Sequence, residues 1–201
     1  MYNLLTVALL SLFPASSQPA CSNIVHVGDS VTLHSMKYQY AEYEKIGYKN
    51  AVISAAGSRS IFTKTANDKF TGLEAVKYYK KRSDSKTCWV IALGTNDSGL
   101  LKYWKAKTAI VAIVDEIPNA KILWVNVWKG KTKKNGPTAI MWNNMLNYVA
   151  ANRPNVTVLD WAKLASENKN WINPDGVHHN MLGSQARARI IAREVNNLWG
   201  N

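Results

Sequence analysis

Four short segments of this chain carry residue types that together can perform acyl transfer. Ser30 lies in "HVGDSVTL", directly after a hydrophobic run. Gly57 lies in "SAAGSRS", and Asn96 lies in "GTNDSG". Asp175 and His178 lie in "NPDGVHH". Acyl transfer on a serine needs a nucleophile, a base, a group that orients the base, and donors for the oxyanion, and these segments supply a candidate for each.

A serine, an aspartate and a histidine in this pattern suit nucleophilic catalysis. Ser30 follows a glycine at the expected start of a helix, where backbone N–H groups and the positive end of the helix dipole collect. Asp175 and His178 are three positions apart, so the carboxylate can orient the imidazole while its other ring nitrogen faces Ser30. Gly57 and Asn96 are candidate oxyanion donors, through a backbone N–H and a side-chain amide.

Each segment also has a plainer interpretation when it is taken alone. Ser30 can be a helix N-cap, and "NPDGV" before His178 is a good turn sequence. Gly57 and Asn96 can be ordinary parts of loops. Three of the segments follow predicted strands and the fourth comes just before the last predicted helix, so we favour one acyl-transfer site over four unrelated turns.

The elements that must position these residues alternate along the chain. Short apolar runs rich in β-branched residues alternate with longer amphipathic ones, which predicts a parallel sheet covered by helices on both faces. Ligands of such sheets bind beyond the carboxyl ends of the strands, where the segments with Ser30, Gly57 and Asn96 would meet. The predicted strands are 23–28, 50–54, 87–93, 121–127 and 156–159, and the predicted helices are 31–45, 69–82, 102–117, 137–152, 161–167 and 181–198.

The order of the four segments resembles the signature of a known family. Gly-Asp-Ser, then Gly, then Gly-x-Asn-Asp, then Asp-x-x-His is similar to the four blocks of the SGNH hydrolases, also called the GDSL family. The resemblance extends over nearly the whole chain, from 24 to 195. It implies a flavodoxin-like, three-layer α/β/α sandwich with a five-stranded parallel sheet.

The resemblance also implies a role for each site residue. The implied nucleophile is Ser30, the implied general base is His178 with Asp175 as its orienting group, and the implied oxyanion donors are Ser30, Gly57 and Asn96. The chain departs from the usual pattern at Val31, where the family has Leu, and at His179, where Pro often follows the base. We expect His178 rather than His179 to act because only His178 has the aspartate three positions before it. No cofactor and no metal are implied, since the chain lacks a Cys/His cluster.

Two residues near the four segments suggest what kind of substrate is bound. Arg59 is expected to bind a carboxylate or phosphate, and Trp128 is a candidate wall for a sugar or acyl pocket, although core packing is the ordinary role of a tryptophan. The chain looks most like extracytoplasmic domains that add or remove O-acetyl groups on cell-wall polysaccharides. We therefore expect an exported serine esterase for a short acyl ester, on a small molecule or a carbohydrate. The alternatives are an O-acetyltransferase with the same acyl-enzyme and a noncatalytic, basic wall-binding protein.

The charge of the chain favours an anionic partner. The formal net charge is +12 at pH 7, over 201 residues. For an exported protein, we expect an anionic cell-envelope polymer rather than nucleic acid, and the alternative is that the charge serves solubility alone. Two basic clusters stand out, namely Lys77, Lys80, Lys81, Arg82 and Lys86, and then Lys129, Lys131, Lys133 and Lys134.

The first 17 residues differ from the rest of the chain. Residues 1–17 carry no charged side chain, are apolar from 4 to 13 and end in small residues, which predicts a secretory signal peptide before a single domain at 18–201. The segment lacks the Lys or Arg of an ordinary signal peptide, so a buried N-terminal strand or helix is the alternative. No later run is long and apolar enough to span a bilayer. Cys21 and Cys88 lie near the amino-terminal ends of neighbouring predicted strands and are expected to form a disulfide, with two free thiols as the alternative.

Overall fold

The computed structural model describes residues 21–66, 68–99, 102–130 and 136–200. Five strands form one parallel sheet in the order β2-β1-β3-β4-β5, which is the flavodoxin-like, doubly wound arrangement. The predicted signal peptide at 1–17 lies outside the described residues. The strands are β1 (Asn23–Gly28), β2 (Val52–Ala55), β3 (Thr87–Ala92), β4 (Ile122–Val125) and β5 (Val156–Leu159).

Helices cover both faces of the sheet. Alternate residues of a strand point to opposite faces, so Trp89 of β3 joins one core cluster and Cys88 joins the other. The first cluster packs α2, α3 and α4 on the sheet, and the second packs α1, α5 and α6 on its other face. The predicted three-layer sandwich is confirmed. The helices are α1 (Ser30–Lys45), α2 (Gly72–Lys80), α3 (Tyr103–Glu116), α4 (Gly136–Ala151), α5 (Trp161–Glu167) and α6 (Met181–Trp199).

The largest difference from the predicted elements is at the start of α2. A helix was expected from residue 69, but α2 begins at Gly72. Thr71 caps this helix, because its hydroxyl accepts from the Glu74 N–H at 3.1 Å while the Glu74 carboxylate accepts from the Thr71 N–H at 2.8 Å. This reciprocal capping box ends the preceding loop at a defined residue. None of the helices in the described ranges is long and apolar enough to cross a membrane.

The amino-terminal edge of the sheet carries a disulfide. Cys21 precedes β1 and Cys88 lies near the start of β3, and their sulfur atoms are bonded with 5.8 Å between the Cα atoms. The sheet makes this bond possible because β1 and β3 are neighbours that pair in parallel register. The bond therefore links the strand ends opposite those that lead into Ser30 and Asn96.

Candidate active site

Ser30, His178 and Asp175 form a continuous chain of hydrogen bonds at the carboxyl edge of the sheet. The Ser30 Oγ lies 2.9 Å from the His178 Nε2. The Nδ1 of the same ring lies 2.7 Å from the Asp175 Oδ2. Because a carboxylate accepts, the ring proton belongs on Nδ1, and Nε2 can then accept the serine proton. This arrangement has the geometry that a serine nucleophile and its base require.

The loop between α5 and α6 holds the carboxylate of Asp175 in place. Its Oδ1 accepts from the backbone N–H groups of Val177 and His178, each at 2.9 Å. The loop is closed by a hydrogen bond of 2.8 Å from the Asn173 N–H to the His178 carbonyl oxygen. Partial burial would raise the pKa of Asp175, but the hydrogen bonds from Val177 and His178 outweigh it and lower that pKa. The carboxylate is therefore ionised where it faces the imidazole.

Ser30 is the first residue of α1, and the N-cap is Asp29. The Asp29 Oδ1 accepts from the Val31 N–H at 3.0 Å, so the interpretation of Ser30 as an N-cap is wrong. A side chain on Gly28 would collide with Thr32, which explains the glycine before this turn. The serine hydroxyl thus lies at a helix N-terminus, where the positive end of the helix dipole stabilises negative charge.

The two other oxyanion candidates flank Ser30 because of the strand order. Gly57 follows β2 and Asn96 follows β3, and β1 lies between these strands. Gly57 is exposed, and Ser58 after it has a φ of 57°, in the left-handed region. The Asn96 Nδ2 donates to the Arg59 carbonyl oxygen at 2.9 Å, which orients the amide. An amide nitrogen carries two hydrogens, so this bond fixes the group and leaves a second donor.

Arg59 does not take part in substrate binding, and that prediction is wrong. Its side chain is 4% exposed. Nε and Nη2 donate to the two carboxylate oxygens of Asp68 at 2.7 and 3.0 Å. Nη1 donates to the Ser54 carbonyl oxygen at 2.7 Å and to that of Gly28 at 3.3 Å. The side chain therefore ties the loop after β2 to the end of β1 and cannot receive an outside anion.

The contacts of Trp128 also differ from those expected of a residue that lines a substrate pocket. It is half-buried against the core cluster of α1, α5 and α6. It lines a cavity of about 10 Å³, which is too small for an acyl group or a sugar. Trp104 on α3 is 62% exposed. A role of Trp128 in substrate binding stays a prediction without support from these contacts.

The three other histidines differ in how deeply they are buried. His34 is exposed, and its ring centroid lies 4.8 Å from that of His178. His179 is buried, and its Nε2 accepts from the Trp161 Nε1 at 3.1 Å. Burial is the main reason why the pKa of His179 falls to about 3, so this ring is neutral. His26 is fully buried in β1 beside Tyr43.

Three residues at this edge have surroundings that the sequence did not predict. Burial raises the pKa of Asp97 to about 6, while its Oδ1 accepts from the Ile61 N–H at 2.9 Å. Lys129 is half-buried after β4, and this burial lowers its pKa, although Asp29 and Asp97 attract its charge. The Gly130 N–H donates to the Gly176 carbonyl oxygen. Asp97 has a signal in "GTND", whereas no local pattern marks Gly130. Within the described ranges, no group of three or more His, Cys, Asp or Glu side chains could hold a metal ion.

The fold is shared with solved structures of GDSL-family proteins. A solved structure of a lipolytic protein of the G-D-S-L family from Veillonella parvula matches with a TM-score of 0.67 at 15% identity, over 87% of this chain and 98% of that one. The C-terminal catalytic domain of Streptococcus pneumoniae peptidoglycan O-acetyltransferase A, solved with a methylsulfonyl adduct, matches with a TM-score of 0.64 at 21% identity, over 90% of this chain and 93% of that one. No family model matches the chain.

One curated relative is detected by sequence. The chain is 27% identical over 187 residues to the peptidoglycan O-acetyltransferase OatA of Listeria monocytogenes, and the match covers 90% of this chain. It covers 25% of that protein, so the chain spans about a quarter of the relative's length.

Proposed function

We propose that this chain is a serine esterase that removes short acyl groups, with O-acetyl groups on a cell-wall carbohydrate as its substrate class. The observation that carries the proposal is the hydrogen-bonded chain from Ser30 through His178 to Asp175. The similarity to peptidoglycan O-acetyltransferases supports the substrate class. The noncatalytic alternative gives no reason for a serine, a histidine and a carboxylate to meet in this geometry.

The proposed reaction begins with attack by Ser30. The His178 Nε2 takes the hydroxyl proton while Oγ bonds to the ester carbonyl carbon, and Asp175 stabilises the imidazolium that forms. The negative charge on the former carbonyl oxygen is stabilised by the N–H groups of Ser30 and Gly57 and by the Asn96 amide. His178 then gives its proton to the departing sugar oxygen, which leaves an acyl group on Ser30.

The second half of the reaction decides between hydrolysis and transfer. In hydrolysis, His178 takes a proton from water, the resulting hydroxide attacks the acyl-enzyme, and Ser30 recovers its proton. In transfer, a sugar hydroxyl replaces the water. Similarity to named acetyltransferases favours transfer as the second candidate function. Product analysis with an acetyl donor and a glycan acceptor distinguishes them, because only transfer yields an acetylated glycan.

We also place the protein outside the cytoplasm. The Cys21–Cys88 disulfide supports an oxidising compartment, and peptidoglycan, the substrate named for the relatives, is extracytoplasmic. An anionic envelope polymer stays our proposed partner for the basic clusters. Lys77 and Lys80 lie in α2, which leads into the amino end of β3, so their cluster is at the edge opposite Ser30. Only the cluster that begins at Lys129 starts at the carboxyl edge, and Lys131, Lys133 and Lys134 lie outside the described residues.

The test is a series of p-nitrophenyl esters of increasing chain length, run beside an acetylated cell-wall glycan. We expect activity to be highest with acetate, and we expect Ser30→Ala to lower kcat by at least about 1000-fold. Ser85→Ala is the matched control, because Ser85 is exposed in the turn before β3, at the opposite edge. Equal turnover by Ser30→Ala and the parent would reject the proposed nucleophile.

A further inference from the structure

A small cavity lies beside the residues that flank Ser30 and His178. It measures about 10 Å³ and is lined from the carboxyl ends of β1, β3 and β4, from the loop with His178, and from α6. A volume of this size is close to the least that holds one water molecule. Its polar lining includes Asp29, Trp128, His179 and Arg187.

Each of these four residues has a buried polar atom without a hydrogen-bond partner among the described residues. The atoms are the Asp29 Oδ2, the Trp128 Nε1, the His179 Nδ1 and the Arg187 Nε. Burial raises the pKa of Asp29, and an interaction with Thr95, which lines the same cavity, opposes that rise. The side chains of Asp29, His179 and Arg187 are 1%, 5% and 3% exposed. A buried polar atom without a partner is unfavourable, so four around one cavity indicate a ligand that satisfies most of them.

The chemistry of the four atoms identifies the ligand. The indole Nε1 of Trp161 can only donate, so the His179 Nε2 accepts from it and the proton of the neutral ring lies on Nδ1. The cavity therefore presents three N–H donors, from Trp128, His179 and Arg187, and one acceptor, the Asp29 Oδ2. One water can accept from two of the donors and give a hydrogen to Asp29, which satisfies three atoms at once. A halide could only accept, and it would lie against the carboxylate.

We propose that this cavity is a site for one buried water molecule, which bridges Asp29 to Arg187 and His179. The water would hold the segment with Ser30 in position relative to the segment with His178. Asp29 precedes Ser30 and caps its helix, while His179 follows His178. Arg187 lies on α6 beside both segments, where Asp29 attracts its charge. It also contacts the Ser35 Oγ at 3.5 Å and the Trp161 ring at 6.0 Å. The positioning role rests on the proposed function, whereas the water site does not.

The first test is a crystal structure of the parent at a resolution that shows ordered water, with a second crystal soaked in bromide. We expect one water within hydrogen-bond distance of the Asp29 Oδ2 and of at least two of the three nitrogens. Anomalous bromide density in the cavity, or direct contacts between these side chains that close it, would overturn the water site. This result does not depend on whether the protein is active.

The second test measures kcat and KM on p-nitrophenyl acetate. Arg187→Met removes the charge and the donor, and we expect kcat to fall by about 10- to 100-fold with KM within about twofold, because Ser30 and His178 lose their register. The matched control is Arg189→Met, an exposed arginine on the same helix, which should keep the parent's values. Equal kcat values for the parent and a folded Arg187→Met would reject the positioning role.

Trp128→Phe covers the case in which Arg187→Met does not fold. It keeps an aromatic ring in the core and removes one N–H from the cavity. We expect the water to lose occupancy in the crystal and kcat to fall severalfold at unchanged KM. If the variant loses the water but keeps the kcat of the parent, the water site stands and its role in positioning is rejected. A parent without esterase activity would instead count against the proposed function, and the crystal result would still decide the water site.

Discussion

The backbone N–H of Gly130 donates a hydrogen bond to the carbonyl oxygen of Gly176 across 2.6 Å. Gly176 lies between Asp175 and His178, and Gly130 lies in the loop after β4. A Cβ atom added to Gly130 would lie 3.0 Å from that carbonyl oxygen and 3.1 Å from the Gly176 Cα. The loop after β4 therefore packs backbone to backbone against the loop that carries the proposed base.

Gly130→Ala should disturb the position of His178 without unfolding the protein. The added methyl group must move the Gly176 backbone by a few tenths of an ångström, and we expect kcat on p-nitrophenyl acetate to fall by about 10-fold at similar KM. Gly99→Ala is the matched control on the same edge, since its added Cβ would have only the Lys129 Nζ nearby, at an ordinary 3.6 Å. Equal losses in both variants would contradict a specific role for the Gly130–Gly176 contact.

Asp175→Asn tests the group that orients the base. The amide can no longer accept with a full negative charge, so both the tautomer and the stability of the imidazolium are affected. We expect kcat to fall by about 1000- to 10,000-fold, by analogy with the same change in serine proteases. A fall of less than tenfold at neutral pH, with a folded variant shown by circular dichroism, would mean that another group orients His178.

Much of the fold could be predicted because its signals are local. The apolar runs of β1 and β5 and the helix of α5 agree with their expected bounds, and alternation of strands and helices leaves few topologies for a parallel sheet. The meeting of Ser30 with His178 follows from this topology, since both lie at the same edge. Its chemical meaning was indicated by the residue types at that edge and was sharpened by the resemblance to a family signature.

The predictions that were wrong or missing concern contacts between residues that are far apart in sequence or that belong to no recognisable sequence pattern. Arg59 follows Gly57 at a position that suits a substrate-binding arginine. Nothing near it in the sequence indicates that its guanidinium instead donates to the carboxylate of Asp68, nine positions later. The contact between Gly130 and Gly176 joins loops 46 positions apart, counted as 176 minus 130, and two glycines carry no side-chain pattern to mark it. Burial of Arg187 is likewise a property of how α6 packs, not of its local sequence.

The Arg59–Asp68 pair should be important for stability rather than for binding. Burial would raise the pKa of Asp68, but hydrogen bonds from Arg59 and the Phe70 N–H outweigh it and lower that pKa. Arg59→Met leaves a buried carboxylate without its cation, and we expect the free energy of unfolding in urea to fall by about 3–5 kcal/mol. Arg153→Met, which breaks an exposed pair with Asp115, should cost no more than about 1 kcal/mol. Similar losses in both variants would contradict this assignment.

Asp97→Asn should change how stability depends on pH. Burial, aided by the nearby Asp29, raises the pKa of Asp97 from 3.8 to about 6, so between these values the folded chain binds more protons than the unfolded chain. The contribution of Asp97 to stability therefore falls as pH rises through this window. Asparagine keeps an acceptor for the Ile61 N–H and stays neutral. In urea titrations, we expect the free energy of unfolding of Asp97→Asn to gain up to about 3 kcal/mol on the parent between pH 4 and pH 7. A difference that stays constant over that range would contradict the raised pKa.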